Sequence, residues 1–476
     1  MTDGYFRTIG RTPRGLRGTC LLFAAFFLIF ASSCRRETEE ALLIDDEIFE
    51  SSENAGASAG TQDTDPRAEE ADQAPSGLMD SEIYNLLQPN RIFGHEENIY
   101  FLSGSWRSWF MVSADRISGD TKPLCTKPDC PHNQSSCGAY VPFYGELSAI
   151  SASDDCLYYA GTVNNGCSIF KRELPDGPAE KLADISLEDL FPVETNSTMF
   201  YNTGCFYQGD FYYPVCAGAV PNDGTDRDGE FYATVLRTPV TSGRPQRRIV
   251  SDKITGFDSY TVGLMPREEG LYIIELMSKE DRLEDGIHPL KSRMDIYLYN
   301  PSGETTEPVF STEFEEGLYI RNCCIRGGKV YVTAFDREQN TMQVFLQEMT
   351  ENEPKVLLSA EQHVNEVYRD ILFTKDKICV YGTSASGESM NRGIELYDYE
   401  GRAAGEFTLD IPDVLKPENP EEFIINGSIN RMTEILGSDD DCLYFHDSYW
   451  SESNESADFY FAVSADGLRL TPFVAR

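Results

Sequence analysis

The stretch Glu269-Gly270-Leu271-Tyr272-Ile273-Ile274 contains the pattern that decides the fold, a turn pair followed by a short strand that is apolar at consecutive positions. A strand that is apolar on both sides is buried on both faces. Similar segments recur at intervals of about 50 to 65 residues, which indicates a repeat protein. The other six are Ile99–Leu102, Leu157–Ala160, Phe211–Tyr213, Val330–Val332, Ile378–Tyr381 and Leu443–Phe445.

Each repeat contains more than one strand. A second apolar strand follows the first, as at Asp295–Tyr299, and several repeats add a short outer strand, as at Glu307–Phe310. Another candidate strand precedes several of them, as at Thr261–Met265. Seven units of four strands predict an all-β, seven-bladed β-propeller, because four-stranded sheets around an axis bury both faces on their neighbours. Six or eight blades and two stacked β-sandwiches are the alternatives, and the nearest candidate for a helix is Asp80–Leu87.

The N-terminus has the organisation of a signal peptide. Four arginines between residues 7 and 17 precede the uncharged apolar run Cys20–Ala31. That run is short for a membrane-spanning helix, which needs roughly 20 apolar residues. We therefore interpret residues 1–33 as a signal peptide.

Cys34 follows the small residues Ser32 and Ser33, which resembles the lipobox of bacterial lipoproteins. The resemblance implies that the thiol of Cys34 is diacylated and that the chain is cut before it. Ala31 departs from the pattern, because Leu is usual there, so release after Ser33 and an uncleaved anchor are alternatives. Two acyl chains give stable anchoring. The predicted location is the extracytoplasmic face of the cell membrane, with the membrane as a partner through the lipid anchor.

The segment after Cys34 is polar, acidic and rich in small residues up to about Gly77. It has few apolar side chains that could build a core, so residues 34–78 are predicted to be a disordered acidic spacer, with the propeller at residues 79–476. The whole chain has a formal net charge of −39. Nucleic-acid binding is excluded by this charge, because phosphate contacts need clustered Lys and Arg.

A cysteine-rich segment, CTKPDCPHNQSSC at residues 125–137, lies where the first repeat passes to the second. Cys125, Cys130, His132 and Cys137 are candidate metal ligands, because Cys and His are the ligands of tetrahedral zinc sites. The alternative is a disulfide between two of these cysteines, which export favours. Either arrangement predicts a structural role, because four protein ligands leave no open position for a substrate.

Taken together, the signal with its lipobox, the acidic spacer, the Leu-Tyr-Tyr-type strands and the segment Leu124–Tyr140 resemble propeller lipoproteins of clostridial-type Gram-positive bacteria. The resemblance covers nearly the whole chain, and the cysteine-rich segment is its most specific part. It implies a propeller fold and a membrane location, and it implies no activity.

No residue set in the sequence indicates catalysis, and a Gly-x-Ser-x-Gly nucleophile elbow is absent. We interpret the protein as a non-catalytic binding or scaffolding module for an unidentified extracellular protein or carbohydrate. The alternatives are a propeller enzyme, either a glycosidase or a polysaccharide lyase, and a structural envelope protein. The turn Asp439-Asp440-Asp441 is predicted to be solvated.

Overall fold

In the computed structural model, the described residues run from 78 to 473 with gaps, the longest of which are 87–91, 187–196, 220–228, 241–245, 410–423, 451–455 and 465–469. The predicted signal peptide, Cys34 and the predicted spacer up to residue 77 lie outside them. The chain divides into two compact units. One of them, residues 72–281 and 288–476, contains the sheets described below, apart from the strand ends that lie within residues 282–287.

The first three blades contain fourteen strands, in which the first strand of a blade is the innermost. Blade one has β1 (Ile92–His95), β2 (Asn98–Ser105), β3 (Ser108–Asp115), β4 (Thr121–Pro123) and β5 (Tyr140–Val141). Blade two has β6 (Leu147–Ser153), β7 (Cys156–Val163), β8 (Gly166–Glu173) and β9 (Ala179–Ser186). Blade three has β10 (Ser197–Phe200), β11 (Cys205–Tyr207), β12 (Asp210–Ala219), β13 (Gly229–Pro239) and β14 (Gln246–Phe257).

The other four blades are regular four-stranded sheets. Blade four has β15 (Ser259–Arg267), β16 (Gly270–Leu283), β17 (Gly286–Asn300) and β18 (Thr305–Phe314). Blade five has β19 (Leu318–Arg326), β20 (Lys329–Asp336), β21 (Thr341–Glu348) and β22 (Lys355–Glu361). Blade six has β23 (Glu366–Phe373), β24 (Ile378–Ser386), β25 (Ser389–Tyr397) and β26 (Ala403–Leu409).

A two-stranded ribbon, β27 (Ile424–Ile425) with β28 (Ser428–Ile429), separates blade six from blade seven in the chain. Blade seven has β29 (Arg431–Ser438), β30 (Cys442–Trp450), β31 (Ser456–Ser464) and β32 (Leu470–Phe473). The seven sheets form a seven-bladed β-propeller, which confirms the predicted fold class and blade number.

Seven apolar clusters fill the interfaces between successive blades. Adjacent residues of one strand point into different clusters: Tyr158 packs between blades two and three, whereas Tyr159 packs between blades one and two. This is the physical reason for the consecutive apolar positions, because both faces of the strand are covered. In the seventh cluster Phe101 of blade one lies against Tyr460 of blade seven, with ring centroids 5.0 Å apart, so the ring is closed.

Among the described strands none is exchanged across the closing interface, because each of its two blades is built from one continuous part of the chain. Beside the apolar cluster, a guanidinium nitrogen of Arg116 lies 2.9 Å from the Asp439 carboxylate. Asp439 also accepts hydrogen bonds from the Cys442 amide and the Tyr444 hydroxyl. The prediction of a solvated turn is therefore wrong for Asp439, whose exposed fraction is 8%.

Residues 78–81 and 83–86, which we call the plug, bind the innermost strands at the end where they turn into the second strands. The Met79 amide donates to Ala152 O of blade two, the Ser81 amide to Phe206 O of blade three and the Leu86 amide to Cys323 O of blade five. The Ile83 carbonyl accepts a hydrogen bond from Arg267 of blade four. A segment that contacts the first strands of six blades lies around the centre of the ring at this end.

Asn85 is the polar centre of the plug. Its side-chain amide donates to Phe373 O (2.9 Å) and Ser438 Oγ (2.7 Å), and its side-chain oxygen accepts from the Phe373 amide (2.8 Å) and Asn322 Nδ2 (2.7 Å). These partners belong to blades five, six and seven, so one buried side chain joins three blades. The described part of Asp80–Leu87, the nearest helix candidate in the sequence, is not helical, because its backbone groups bond to the blades instead.

Among the residues that the structure describes, no helix has the length and apolar character needed to cross a membrane.

Candidate metal centre

The cysteine loop, residues 124–139, interrupts the outer edge of blade one. β4 ends at Pro123 and β5 begins at Tyr140, and both strands pair with β3. Met111 of β3 holds both ends of the loop, because its carbonyl accepts from the Leu124 amide (2.9 Å) and its amide donates to Ala139 O (2.8 Å). The loop thus connects two strands that pair with the same neighbour, β3. The sequence predicts it between the first two repeats, and the structure shows that it belongs to the outer edge of blade one.

Two residues of the loop take left-handed backbone conformations, Asp129 with φ of 55° and His132 with φ of 53°. Asp is one of the few non-glycine residues that adopts this conformation readily, and His is also enriched there. The two sharp bends lie on either side of Cys130-Pro131 and turn the chain back on itself. The middle of the loop is thereby brought to its two ends.

The structure brings together all four ligands that the sequence predicts. One ligand atom from each of Cys125, Cys130, His132 and Cys137 lies within 4.8 Å of every other. His132 Nδ1 is 3.3 Å from Cys137 Sγ. In a tetrahedral site with Zn–S of about 2.3 Å and Zn–N of about 2.0 Å, ligand atoms are roughly 3.5 to 3.8 Å apart. A small contraction of the loop around the ion would therefore complete a Cys₃His first shell.

Backbone amides of the loop point at the sulfur atoms. The Gly138 amide donates to Cys125 Sγ (3.2 Å), and the Ala139 amide donates to Cys137 Sγ (3.3 Å). Burial acts to raise the pKa of Cys125, but hydrogen bonds from the Lys127 and Gly138 amides outweigh it and lower this pKa to about 7. Burial raises the pKa of Cys137 to about 11. Cys125 is therefore readily available as a thiolate, the form that binds metals, whereas Cys137 would reach that form by losing its proton to solvent as a metal binds.

The ligand set is partly open to solvent. Cys137 is buried, and Cys125, Cys130 and His132 are partly exposed, which provides an entry path for an ion. The eleven cysteines in the described part of the chain, from Cys125 to Cys442, are free thiols. The two arrangements predicted for this segment, a metal site and a disulfide, thus differ in whether the sulfurs are bridged by an ion or by oxidation.

Arg172 of β8 contacts the cysteine loop, and the sequence does not predict this contact. Its guanidinium is 1% exposed and donates to the carbonyl oxygens of Leu124 (2.8 Å), Gly138 (2.6 Å) and Gly177 (2.9 Å). Leu124 and Gly138 are the immediate neighbours of the first and last ligand cysteines. An Arg following Lys171 near the end of a strand has no feature in sequence that distinguishes it from a solvated residue.

No family model matches the chain, and no curated protein is similar to it. Among solved structures, oligopeptidase B from Leishmania major is 9% identical with a TM-score of 0.42, over 83% of this chain and 49% of that one. Oligogalacturonate lyase in complex with manganese is 10% identical with a TM-score of 0.42, over 83% of this chain and 96% of the lyase. The β-propeller domain of the Trilobed protease from Pyrococcus furiosus is 10% identical with a TM-score of 0.35, over 82% and 98%. This chain thus spans about half the length of the oligopeptidase (49%), and at these values the similarities say nothing of activity.

Proposed function

We propose that the protein is an extracytoplasmic propeller, anchored to the membrane through Cys34, that serves as a non-catalytic binding or scaffolding module and carries a structural zinc ion. The observation that carries the metal is the convergence of Cys125, Cys130, His132 and Cys137 within 4.8 Å. Cys and His donors in tetrahedral number suit Zn²⁺ better than the oxygen-preferring Mg²⁺ or Ca²⁺. Membership of the clostridial-type lipoprotein family is part of the same proposal.

A structural role fits the ligand count. Four protein ligands complete the tetrahedron, so neither water nor a substrate has an open position on the ion. A catalytic zinc instead has three protein ligands and one exchangeable position. The ion would fix the cysteine loop against the outer edge of blade one.

The plug supports a display role for the opposite end of the ring. It binds the first strands at the end where they turn into the second strands, and it directly follows the predicted spacer. The second strands end and the third strands begin at the other end, as at the paired residues Val163 and Gly166. We propose that the surface for an extracellular protein or carbohydrate lies there, at the end opposite the plug.

The test of the anchor and the metal uses the full chain expressed with its own signal in a Gram-positive host. Membrane fractionation with intact-mass measurement should show a membrane-bound protein that begins at a diacylated Cys34, and C34A should abolish the acyl mass. Metal analysis should give one zinc per chain, and C125S/C130S should give none. A mass lower by two hydrogens with no metal would establish the disulfide instead.

The non-catalytic role has a separate test. Incubation of the full chain with labelled cell-wall and capsular polysaccharides should release no products. Release of reducing ends or of unsaturated sugars by the purified protein would overturn the proposal in favour of a glycosidase or a lyase.

A further inference from the structure

We infer that Arg172 is the positioning residue of the metal centre, and that its buried charge balances the negative charge of a zinc ion with three thiolate ligands. This inference rests on the zinc proposal above. It assigns to the site a residue from a different blade, which therefore couples the metal to the packing between blades one and two.

The geometry connects Arg172 to the ligands through peptide groups. The Gly138 carbonyl accepts from Arg172 Nη2 at 2.6 Å, and the N–H of the same peptide group, that of Ala139, donates to Cys137 Sγ at 3.3 Å. A cation on the carbonyl polarises the peptide and strengthens the hydrogen bond that its N–H donates. Stabilisation of a Cys thiolate by such a hydrogen bond tunes the ligand in the way that partners outside the ligand shell do at metal sites.

The same guanidinium also holds the other end of the loop. Arg172 Nη1 donates to Leu124 O at 2.8 Å, directly before Cys125. One rigid, planar group thus fixes the spacing between the chain entering the first ligand and the chain leaving the last. A lysine ammonium would lack the fork that reaches both ends.

The charge of Arg172 has no anionic partner among the described residues. Its three acceptors are neutral carbonyl groups, and its Nε is buried without a hydrogen-bond partner. Neighbouring Tyr159 does not supply an anion, because burial raises the pKa of its phenol despite the opposing effect of Arg172. A buried unpaired cation is costly. Zn²⁺ with three thiolates and a neutral imidazole carries one net negative charge, and that charge would complete the balance.

The test compares zinc affinity in variants of the full chain. R172Q keeps a neutral donor for the carbonyls and removes the charge, whereas R172K keeps the charge and removes the fork. The matched control is R267Q, because Arg267 also donates to backbone carbonyls, those of Ile83, Ile325 and Pro266, but it is partly exposed and lies at the plug. Zinc affinity is measured by competition with a chelator of known affinity, and the ligand field is recorded with Co²⁺ in place of zinc.

We expect R172Q to weaken zinc binding by about 10- to 100-fold, the usual cost of removing a partner of a metal ligand. Its thiolate-to-cobalt charge-transfer band should also shift. R172K should lose less affinity than R172Q, and R267Q should lower thermal stability while its zinc affinity and cobalt spectrum stay as in the wild type.

Wild-type affinity and spectrum in R172Q would overturn the inference. If R172Q does not fold, R172K decides, because unchanged affinity without the fork would exclude a positioning role. A wild-type protein that binds no zinc would be a failure of the metal proposal itself, and it is distinguished by the first metal measurement.

Discussion

An arginine lies at each of the two interfaces of blade one, and the two arginines have different kinds of partner. At the interface with blade two, Arg172 donates to neutral carbonyls of the cysteine loop and has no carboxylate partner among the described residues. At the interface with blade seven, Arg116 forms an ion pair with Asp439. Blades one and two are consecutive in the chain, whereas blades one and seven are the first and the last blades of the propeller.

The difference follows from connectivity. The backbone already connects blade two to blade one, so that interface does not depend on an ion pair. Arg172 donates instead to carbonyl groups of the cysteine loop. The closing interface between blades seven and one has no such continuity, and its contacts come from an apolar cluster, from the Arg116–Asp439 pair and from the plug beside them. We therefore expect substitutions at the closing interface to lower global stability, and substitutions at the cysteine loop to act locally.

The largest effect is expected for N85A. Removing the side chain leaves the buried Phe373 amide without its acceptor, and it leaves the buried Asn322 side-chain amide with only a 3.4 Å bond to Ile371 O. Unsatisfied buried groups cost about 1–3 kcal/mol each, so the free energy of unfolding should fall by about 3 kcal/mol or more. Urea unfolding of the full chain measures this loss. In the control N300A, an exposed turn bond to Ser302 is lost, and the change should stay below about 0.5 kcal/mol. Equal effects in the two variants would show that the plug does not hold the ring.

The next effect is expected for D439N, which leaves the Arg116 charge without its carboxylate. Breaking a fully buried pair costs roughly 3–5 kcal/mol, but the Arg116 side chain is 30% exposed, so we expect about 2 kcal/mol. Hydrogen exchange should also rise at β1 and β29 before other blades. The matched control is E351Q, because the Lys355–Glu351 pair is 69% and 42% exposed and should contribute less than about 0.5 kcal/mol. A D439N protein as stable as E351Q would contradict a role for this pair in ring closure.

A smaller effect is expected for G94A. A Cβ at residue 94 would lie 1.6 Å from Arg116 Nη2 and 2.6 Å from its Cζ, so the guanidinium would have to move away from Asp439. Overpacking costs about 1–3 kcal/mol, and we expect the lower end here because the nearest atoms are the far end of a flexible side chain. G393A is the control, because no atom lies within 4 Å of a Cβ there. A double-mutant cycle with D439N should show that the two changes are not additive, and strict additivity would contradict the geometry.

The smallest effect on global stability is expected for metal removal. The cysteine loop stays attached to Met111 and Arg172 through backbone groups, so a chelator should free the loop without opening the ring. Hydrogen–deuterium exchange should increase at residues 124–139 and remain unchanged at β1 and β29. Unfolding of the whole propeller on chelation would show instead that the metal belongs to the global fold.

Much of the fold can be predicted from short segments of sequence. The Leu-Tyr-Tyr motif at Leu157–Tyr159 indicates a strand covered on both faces, and its recurrence indicates the blade number, since each copy packs into the same kind of interface. The four candidate metal ligands can also be predicted from the sequence, because they lie within one short segment. Nearby residues in sequence can be assembled by local turns such as those at Asp129 and His132.

Contacts between distant parts of the chain could not be read in this way. In the sequence Asp439 is one of three adjacent acidic residues that are predicted to be solvated. Its contact with Arg116 arises only when blade seven packs against blade one. Asn85 and Arg172 likewise depend on hydrogen-bond partners that are far away in sequence, in blades five to seven and in the cysteine loop. Hydrogen-bond partners of this kind leave no periodic pattern.

The sequence by itself thus determined the repeated double-faced strands and the ligand set of the candidate metal centre, because both are local patterns of residue type and spacing. The tertiary structure decided how the ring closes, which segment joins the first strands at one end and which cation faces the cysteine loop. The physical reason is that a buried charge or amide is stabilised by whichever groups the fold brings within hydrogen-bond distance, and those groups are chosen by the packing of blades rather than by neighbours in the chain.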